Sequence, residues 1–516
     1  MESNNDAFQP NEVISPEEEK FERWRNKIGL FLGPIVFLIF YFLPYSSISY
    51  QAHTLSAILL WVIVWWITEP VPLPITALIG AVLCVVFNVA DVKKIFIPFA
   101  DPIVFLFLGS FILAEAMAKH GIDKRFAYKI LTMKYVGKST GRILFTFGAI
   151  TAFISMWISN TAATAMMLPI AIGIVASIHK IIQEEKGIEI DSKKLKFGTA
   201  MMLMTAYSAS IGGIGTPVGT PPNLIGIAMI EKFAHFRISF FEWMMFALPM
   251  LLIMYVFLFI VIYFLNKPEI SKINTSSSVI QIAKDKLGKF KAGEINSIIA
   301  FLVTVILWVI PGFIAVIYGT DSPFFKTFNN HFPEAIAALI GASLLFVLPV
   351  NRKKHEFTVN WKDAANIDWG TLILFGGGLS LGNLMFETKL ADYLGNSFIG
   401  FSGLDTVWGI TFVSIYIAII VSEATSNTAS ANMIVPVVIS ICIAGNMNPI
   451  PPAIGATLGA SWGFMLPVST PPNAIVYGSG LVPITKMIRS GIVFDIFGGV
   501  LIWAVLRLIL PLLKLG

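Results

Sequence analysis

Four short polar blocks stand inside apolar sequence, and they come in two pairs. Ser159, Asn160 and Thr161 open "SNTAATAMMLPIA", and Ser426, Asn427 and Thr428 open "SNTASANMIVPVV"; a proline, Pro169 or Pro436, follows each at the same distance. "PVGTPPN" runs from Pro217 to Asn223 and "PVSTPPN" from Pro467 to Asn473, identical at six of seven positions. Polar groups at membrane depth must be satisfied by protein or line a wet cavity, so interrupted backbone there is usually functional. A helix that starts after Ser-Asn-Thr presents free backbone N–H groups and a positive dipole end, a ready anion site. The Asn and Thr side chains add donors. Proline suits a first helical position and interrupts the helix before it, leaving carbonyls that are hard ligands for a small cation.

The charge balance of such a site is incomplete. A divalent anion in a low-dielectric pocket needs more positive charge than two half-dipoles supply. No Lys, Arg or His lies in the four blocks, and the nearest ionisable residue, Glu423, has the wrong sign. A co-bound Na⁺ fills the deficit and couples transport to the sodium gradient, and the pairing of the blocks suggests one cation per half.

The elements that must position these blocks are transmembrane helices. The 516 residues are 56% hydrophobic and 13% charged, with a mean hydropathy of +0.77, outside the range of soluble domains. Apolar runs such as Ile28–Ser47, His53–Ile67, Ile75–Ala90 and Phe246–Leu265 recur, about eleven in all at ~20 residues per crossing. The chain reads as an all-α polytopic membrane protein. Met1–Lys27 is polar and acidic, lacks the order of a signal peptide, and reads as a disordered or surface-lying tail. Cys84 and Cys442 are too far apart to suggest a disulfide framework. The net charge of +5 gives no sign of nucleic acid.

Sidedness follows from the basic loops, which gather on the cytoplasmic face. The clusters Lys20–Lys27, Lys119–Arg142, Lys180–Lys196, Lys267–Lys291, Arg352–Lys354 and Lys486–Arg489 share one face only if the two triplet segments enter and leave by the same side. This makes 141–177 a re-entrant hairpin opening to the cytoplasm and 404–444 one opening outward. Lys93, Lys94, Lys232, Arg237, Lys326 and Lys389 are exceptions.

The triplets lie 267 residues apart, and Ser155 with Ser422, Pro169 with Pro436, and Gly109 with Gly376 share that offset; the Thr-Pro-Pro blocks lie 250 apart. The halves therefore read as an inverted repeat, a common plan for secondary transporters with sites near the midplane. Residues 1–51 form a cytoplasmic tail and first span, 52–265 the first repeat, 266–293 a cytoplasmic linker, and 294–516 the second repeat. The N-terminus is then cytoplasmic and the C-terminus outside. The sequon at Asn274 falls in the linker.

Single copies of these blocks have plainer readings, helix packing for Ser-Asn-Thr and a kink for Thr-Pro-Pro; duplication in register argues against them. Glu69 and Glu115 suit helix-end or interface roles as well as substrate binding. "FGGGLSLG" at Phe375–Gly382 follows no strand-turn-helix pattern and reads as close helix packing rather than a phosphate loop. An intramembrane hydrolase would need a Ser-His, Asp-Asp or His-rich constellation, whereas the six histidines sit mainly near loops. A channel would show a continuous polar stripe. The protein is read as a transporter, not an enzyme.

"WWITEPVPLPITAL", "SNTAATAMMLPIA", "PVGTPPN", "EATSNTASANMIVP" and "MLPVSTPPNAIVYG" resemble the divalent anion/sodium symporter family, which includes bacterial Na⁺/dicarboxylate symporters and animal carriers of dicarboxylates, citrate and sulfate. The resemblance implies a plasma-membrane homodimer of eleven-helix protomers, each with a fixed scaffold and a transport domain that crosses the bilayer like an elevator. It implies one Na⁺ at Ser155, Ser159, Asn160 and Gly219, and another at Ser422, Thr425, Asn427 and Ser469, with backbone carbonyls serving at Thr425 and Ser469. Substrate carboxylates would meet Asn160, Thr161, Asn427 and Thr428, beside Thr220, Pro221, Thr470 and Pro471. The reading that follows is import of C4 dicarboxylates such as succinate, malate or fumarate with Na⁺. Some relatives instead exchange dicarboxylates without Na⁺, and tricarboxylates and sulfate call for donors of the same type.

Overall fold

A computed structural model describes residues 16–45, 48–131, 139–186, 195–271, 288–402, 406–513 and 515. Within these residues the regular structure is helical, save for a two-stranded antiparallel turn pairing Pro349–Asn351 with Glu356–Phe357. Among the described residues ten helices are long and apolar enough to span a membrane, or eleven if Pro323–His331 and Glu334–Val347, bent by 49°, count as one. Three of the ten, Asn160–Gln183, Val407–Ala424 and Asn427–Ala444, are arms flanking the Ser-Asn-Thr triplets. Length and composition alone do not separate spans from such arms. Cys84 and Cys442 are buried free thiols.

The first helix runs from Pro16 to Phe42, so of the two readings of the tail, disordered or surface-lying, Pro16–Lys27 is not disordered. Local physics favours the helix: Glu22 pairs with Arg25 at 2.8 Å, three residues on. The rest of the acidic tail lies outside the described residues, as do 272–287 of the linker, with Asn274, and 187–194 of the charged insertion.

Both triplets sit at a break between two helices. Thr140–Ser155 gives way to Asn160–Lys186, and Val407–Ala424 to Asn427–Ala444. The serine explains each restart: the N–H of Ala162 donates to Ser159 Oγ and that of Ala429 to Ser426 Oγ, both at 3.2 Å, in N-cap geometry. The second arm of the first pair continues to Lys186, beyond the expected end at 177, because its last turns stay helical into the charged insertion. The Thr-Pro-Pro blocks sit at a second pair of breaks. Lys196–Gly213 stops before Pro221–Phe233, and Ile450–Ala460 before Pro471–Gly478, with Thr220 and Thr470 as the extended N-cap residues and proline at the first helical positions.

Packing repeats between the halves and exchanges partners across them. Thr140–Ser155 packs on Lys196–Gly213, as Val407–Ala424 packs on Ile450–Ala460. The second arms cross over: Asn160–Lys186 meets Pro471–Gly478, and Asn427–Ala444 meets Pro221–Phe233. Likewise Pro102–His120 packs on Glu334–Val347, and Trp369–Glu387 on Leu73–Val86. In lipid the hydrophobic effect gives little drive between helices, so close approach through small residues takes its place. A Cβ on Gly109 would fall 2.7 Å from the Ala338 backbone, and one on Gly377 2.6 Å from Ala77 Cβ. The glycines of Phe375–Gly382 thus serve helix packing.

Candidate functional site

The four cap residues Ser159, Thr220, Ser426 and Thr470 line one cavity of about 590 Å³. Asn160, Thr161, Pro221, Asn427, Thr428 and Pro471 line it too, so every residue assigned to substrate by resemblance faces the same space. Four helix N-termini converge there, twice the number that the sequence reading allotted to the anion. They are not equivalent. Pro221, Pro222, Pro471 and Pro472 have no N–H to give, so the triplet helices supply free backbone donors while the proline helices supply dipole and the Thr hydroxyls.

Each triplet asparagine is held by the serine five residues before it. Ser155 Oγ donates to Asn160 Oδ1 at 2.7 Å, and Ser422 Oγ lies 2.8 Å from Asn427 Oδ1 and 2.7 Å from the Ala460 carbonyl. The Asn160 amide lies over Gly213, where an added Cβ would meet Oδ1 at 2.3 Å, and a Cβ on Gly219 would meet the Gly213 carbonyl at 2.5 Å. Ser155, Asn160 and Gly219 are therefore gathered around Gly213, a cluster of hard oxygens with no cationic side chain. In the other half Gly463 occupies the matching place, where an added Cβ would lie 3.3 Å from Ser422 Oγ and 3.1 Å from Ser469 Cβ. Ser159 spends its hydroxyl on the cap, and Thr425 Oγ1 donates to the Trp66 carbonyl at 2.5 Å, which leaves their backbone oxygens for any other role.

The asparagine closing each Thr-Pro-Pro-Asn block has a task the sequence reading did not give it. Asn223 Nδ2 donates to the carbonyls of Gly213 at 2.9 Å and Thr216 at 2.8 Å, and Asn473 Nδ2 to those of Gly463 at 3.2 Å and Leu466 at 3.0 Å. These amides clasp the two broken segments, and at Gly213 and Gly463 they take up the carbonyls that Pro217 and Pro467, four residues on, cannot serve. Glu423 clasps the second break again, accepting from the N–H of Met465 at 2.8 Å and of Leu466 at 3.3 Å and from Ser469 Oγ at 2.5 Å.

Two acids join the cavity wall, Glu115 and Asp368, together with Asn366 and Thr371; Lys, Arg and His are absent among its described lining residues. Asp368 is an N-cap, accepting from the N–H and hydroxyl of Thr371 at 3.0 and 2.5 Å. A signal for it exists in the sequence: Asp101, the N-cap of Pro102–His120, lies 267 residues earlier, at the triplet offset. Lys119, one turn beyond Glu115, is engaged elsewhere, with Nζ 2.6 Å from Asp363 and 3.3 Å from the Thr358 carbonyl. Burial pushes the Asp363 carboxyl up, but the Asn360 N–H and the Lys119 ammonium outweigh it and hold the group below its ordinary value. Glu69, by contrast, ends the helix Tyr50–Thr68 in a left-handed conformation, φ 49°, and is a helix-end residue.

The arrangement offers an anion helix N-termini and hydroxyls but no basic side chain, and comparison with known proteins gives it a family. Residues 25–513 match the family model described as the sodium:sulfate symporter transmembrane region. The "Sodium-dependent dicarboxylate transporter SdcS" of Staphylococcus saprophyticus is 34% identical over 499 residues, covering 96% of this chain and 93% of that protein. The protein of the same name from Staphylococcus aureus is 32% identical over 489 residues, covering 94% and 91%. Among solved structures, the YdaH transporter of Alcanivorax borkumensis is similar with a TM-score of 0.52 at 12% identity, covering 94% of this chain and 97% of that one. MtrF of Neisseria gonorrhoeae gives 0.50 at 13%, covering 82% and 83%; both likenesses are of fold alone. The chain thus belongs to the sodium:sulfate symporter family, the divalent anion/sodium symporters its paired motifs resemble, and is a multi-pass membrane transporter rather than an enzyme.

Proposed function

We propose that the protein imports C4 dicarboxylates such as succinate together with Na⁺. The observation that carries this reading is the convergence of four helix N-termini on one cavity whose described lining holds Glu115 and Asp368 but no cationic side chain. Two added carboxylates in that space require positive charge from elsewhere. Na⁺ bound among Ser155, Asn160 and Gly219 and among Ser422, Asn427 and Ser469 supplies it, one ion per half, directly behind the donors that meet the substrate. The name carried by the staphylococcal relatives supports the same coupling.

The exchanged packing of the halves supports an inverted repeat with hairpins opening to opposite faces, and the transport domain of such a repeat carries the site across the bilayer against a fixed scaffold. The cavity wall includes Asn366 and Asp368, which follow the basic turn Arg352–Lys354, so with the N-terminus cytoplasmic the site opens inward. A second cavity of about 660 Å³, lined by Asp101, Arg237 and Glu334, is its counterpart on the outer side. The protein works as a homodimer in the plasma membrane.

Uptake of radiolabelled succinate into proteoliposomes tests the function, with an inward Na⁺ gradient and then an equal K⁺ gradient, each with empty and succinate-loaded interiors. Uptake into empty vesicles with Na⁺ alone is expected. Uptake only into loaded vesicles, indifferent to Na⁺, would instead make the protein an exchanger. The cation assignment has its own test. Ser155→Ala removes the donor that orients Asn160 and one oxygen of the first cluster, a net loss of about 1–1.5 kcal/mol or roughly tenfold. The Na⁺ concentration for half-maximal uptake should rise by that factor; an unchanged value removes Ser155 from the site.

A further inference from the structure

The connection between two apolar helices carries a surface that the transport site does not use. Val347 ends Glu334–Val347 and Trp369 begins Trp369–Glu387, so the chain between them lies at one face of the bilayer. Its hairpin turns through Arg352, Lys353, Lys354 and His355, all exposed, and Lys362 is exposed farther on. Among the described residues the three lysines bond through their backbone alone: the N–H groups of Lys353 and Lys354 donate to Asn351 Oδ1 at 3.1 and 3.3 Å, and that of Lys362 to Asn360 Oδ1 at 2.8 Å. Their ammonium groups are left for a partner outside the chain. Of the acids in the segment, Asp363 is bound to Lys119 Nζ at 2.6 Å and Asp368 lines the substrate cavity, which leaves Glu356 as the one beside the basic tip.

Three aromatic side chains of the same segment stand in the open. Trp361 is 70% exposed, and Phe357 and Trp369 are 45% exposed. Trp369 Nε1 donates to the Ala365 carbonyl at 3.1 Å, so it presents its apolar ring outward. Such rings in water are unfavourable, whereas the headgroup level of a bilayer is where tryptophan gathers. The segment is also tied down. Thr358 Oγ1 donates to the Leu348 carbonyl at 2.9 Å and accepts from Asn296 Nδ2 at 2.9 Å, and His120 Nε2 lies 2.8 Å from the Thr358 carbonyl. Asn296 Nδ2 reaches the Pro349 carbonyl as well, at 3.2 Å. The hairpin is thereby fixed on the helices Pro102–His120 and Ala292–Tyr318, and its charges are presented from a firm base.

We propose that this hairpin, with Trp361, docks the headgroup of an anionic phospholipid. The tip Arg352–Lys354 meets the phosphate and the indole of Trp361 lies beside the upper part of the acyl chains. The charge selects an acidic over a zwitterionic headgroup, since each basic side chain near an anionic membrane surface is worth roughly fivefold. The indole selects a lipid over a dissolved anion, which has no apolar part to cover it. The same segment runs on to Asn366 and Asp368 in the cavity wall, so a lipid held here fixes the depth of that wall in the bilayer. The inference needs only that the chain spans a membrane, and it stands apart from the Na⁺-coupled reading.

Tryptophan quenching tests it in vesicles of equal parts phosphatidylglycerol and phosphatidylcholine, with bromine on the acyl chains of one lipid or of the other. The quenching due to Trp361 is the difference between wild type and Trp361→Phe. It is expected to favour phosphatidylglycerol by about fivefold or more in relative association, and to lose that preference in the triple variant Arg352→Gln, Lys353→Gln, Lys354→Gln. High KCl should abolish the wild-type preference likewise, a test of the charge that needs no variant of the hairpin. Wild-type quenching that is equal for the two lipids overturns the proposal whatever the variants do. Quenching that Trp361→Phe leaves unchanged overturns it too, because the indole then lies in water or against another protein. A preference that survives either the triple variant or high KCl shows that other residues hold the lipid, and removes the hairpin from the site.

Discussion

Asn160→Ala and Asn427→Ala should each cut Na⁺-driven succinate uptake by roughly 100-fold or more while leaving the size-exclusion profile of the purified protein unchanged. A hydrogen bond to a charged group contributes about 1.5–3 kcal/mol, and 1.4 kcal/mol is a factor of ten. On the proposed reading each asparagine stands between two charged partners. Its backbone opens a helix N-terminus at the cavity, and its Oδ1 lies against Ser155 or Ser422 within the oxygen cluster of its half. On that reading truncation keeps the backbone N–H but removes the side-chain amide, Oδ1 as a cation ligand and Nδ2 as an anion donor, together. The fold should tolerate the change, because Ser159 and Ser426 cap the two helices and Asn223 and Asn473 clasp the breaks without help from either side chain. Near-normal uptake by either variant, measured at Na⁺ and succinate concentrations below saturation, would remove the triplets from the binding site.

Much of this was legible before any coordinates because the chemistry is carried by residues whose local effects are strong. Proline at Pro221 and Pro471 fixes where a helix restarts, and Ser159 and Ser426 cap the helices they precede, so the sequence specifies four helix beginnings. Their convergence on a single cavity is a tertiary fact. It follows from the crossing of partners between halves, and only the shared offsets hint at it. Asp368 escaped for the same reason, and Glu115, singled out as an intramembrane acid, could not be placed: packing alone brings both to the cavity wall. The amide clasps of Asn223 and Asn473 were hidden because the broken segments they tie return toward them only in three dimensions. Helix ends were least legible. The first helix starts at Pro16, ahead of its apolar stretch, and Asn160–Lys186 runs past the apolar sequence into charged residues, since membrane hydropathy marks where a helix is apolar and not where it stops.

The two halves should answer differently to the same small change at Gly213 and Gly463. A Cβ on Gly213 would lie 2.3 Å from Asn160 Oδ1 and 2.8 Å from its Nδ2, distances that real contacts do not reach. The atom that must move is the end of a side chain, so Gly213→Ala can fold by displacing the Asn160 amide. That displacement pulls Asn160 away from Ser155 and opens the first oxygen cluster. Loss of uptake close to that of Asn160→Ala, about 100-fold, is therefore expected, with the thermal midpoint in detergent changed little. At Gly463 the nearest atoms are Ser469 Cβ at 3.1 Å, Ser422 Oγ at 3.3 Å and the Ser422 carbonyl at 3.4 Å, contacts that a few tenths of an ångström relieve. Gly463→Ala should cost only several-fold, mainly as a higher Na⁺ requirement. Equal losses from the two substitutions, or a Gly213→Ala protein with normal uptake, would show that Asn160 does not need its place over Gly213, and the first cation cluster would have to be built from other atoms.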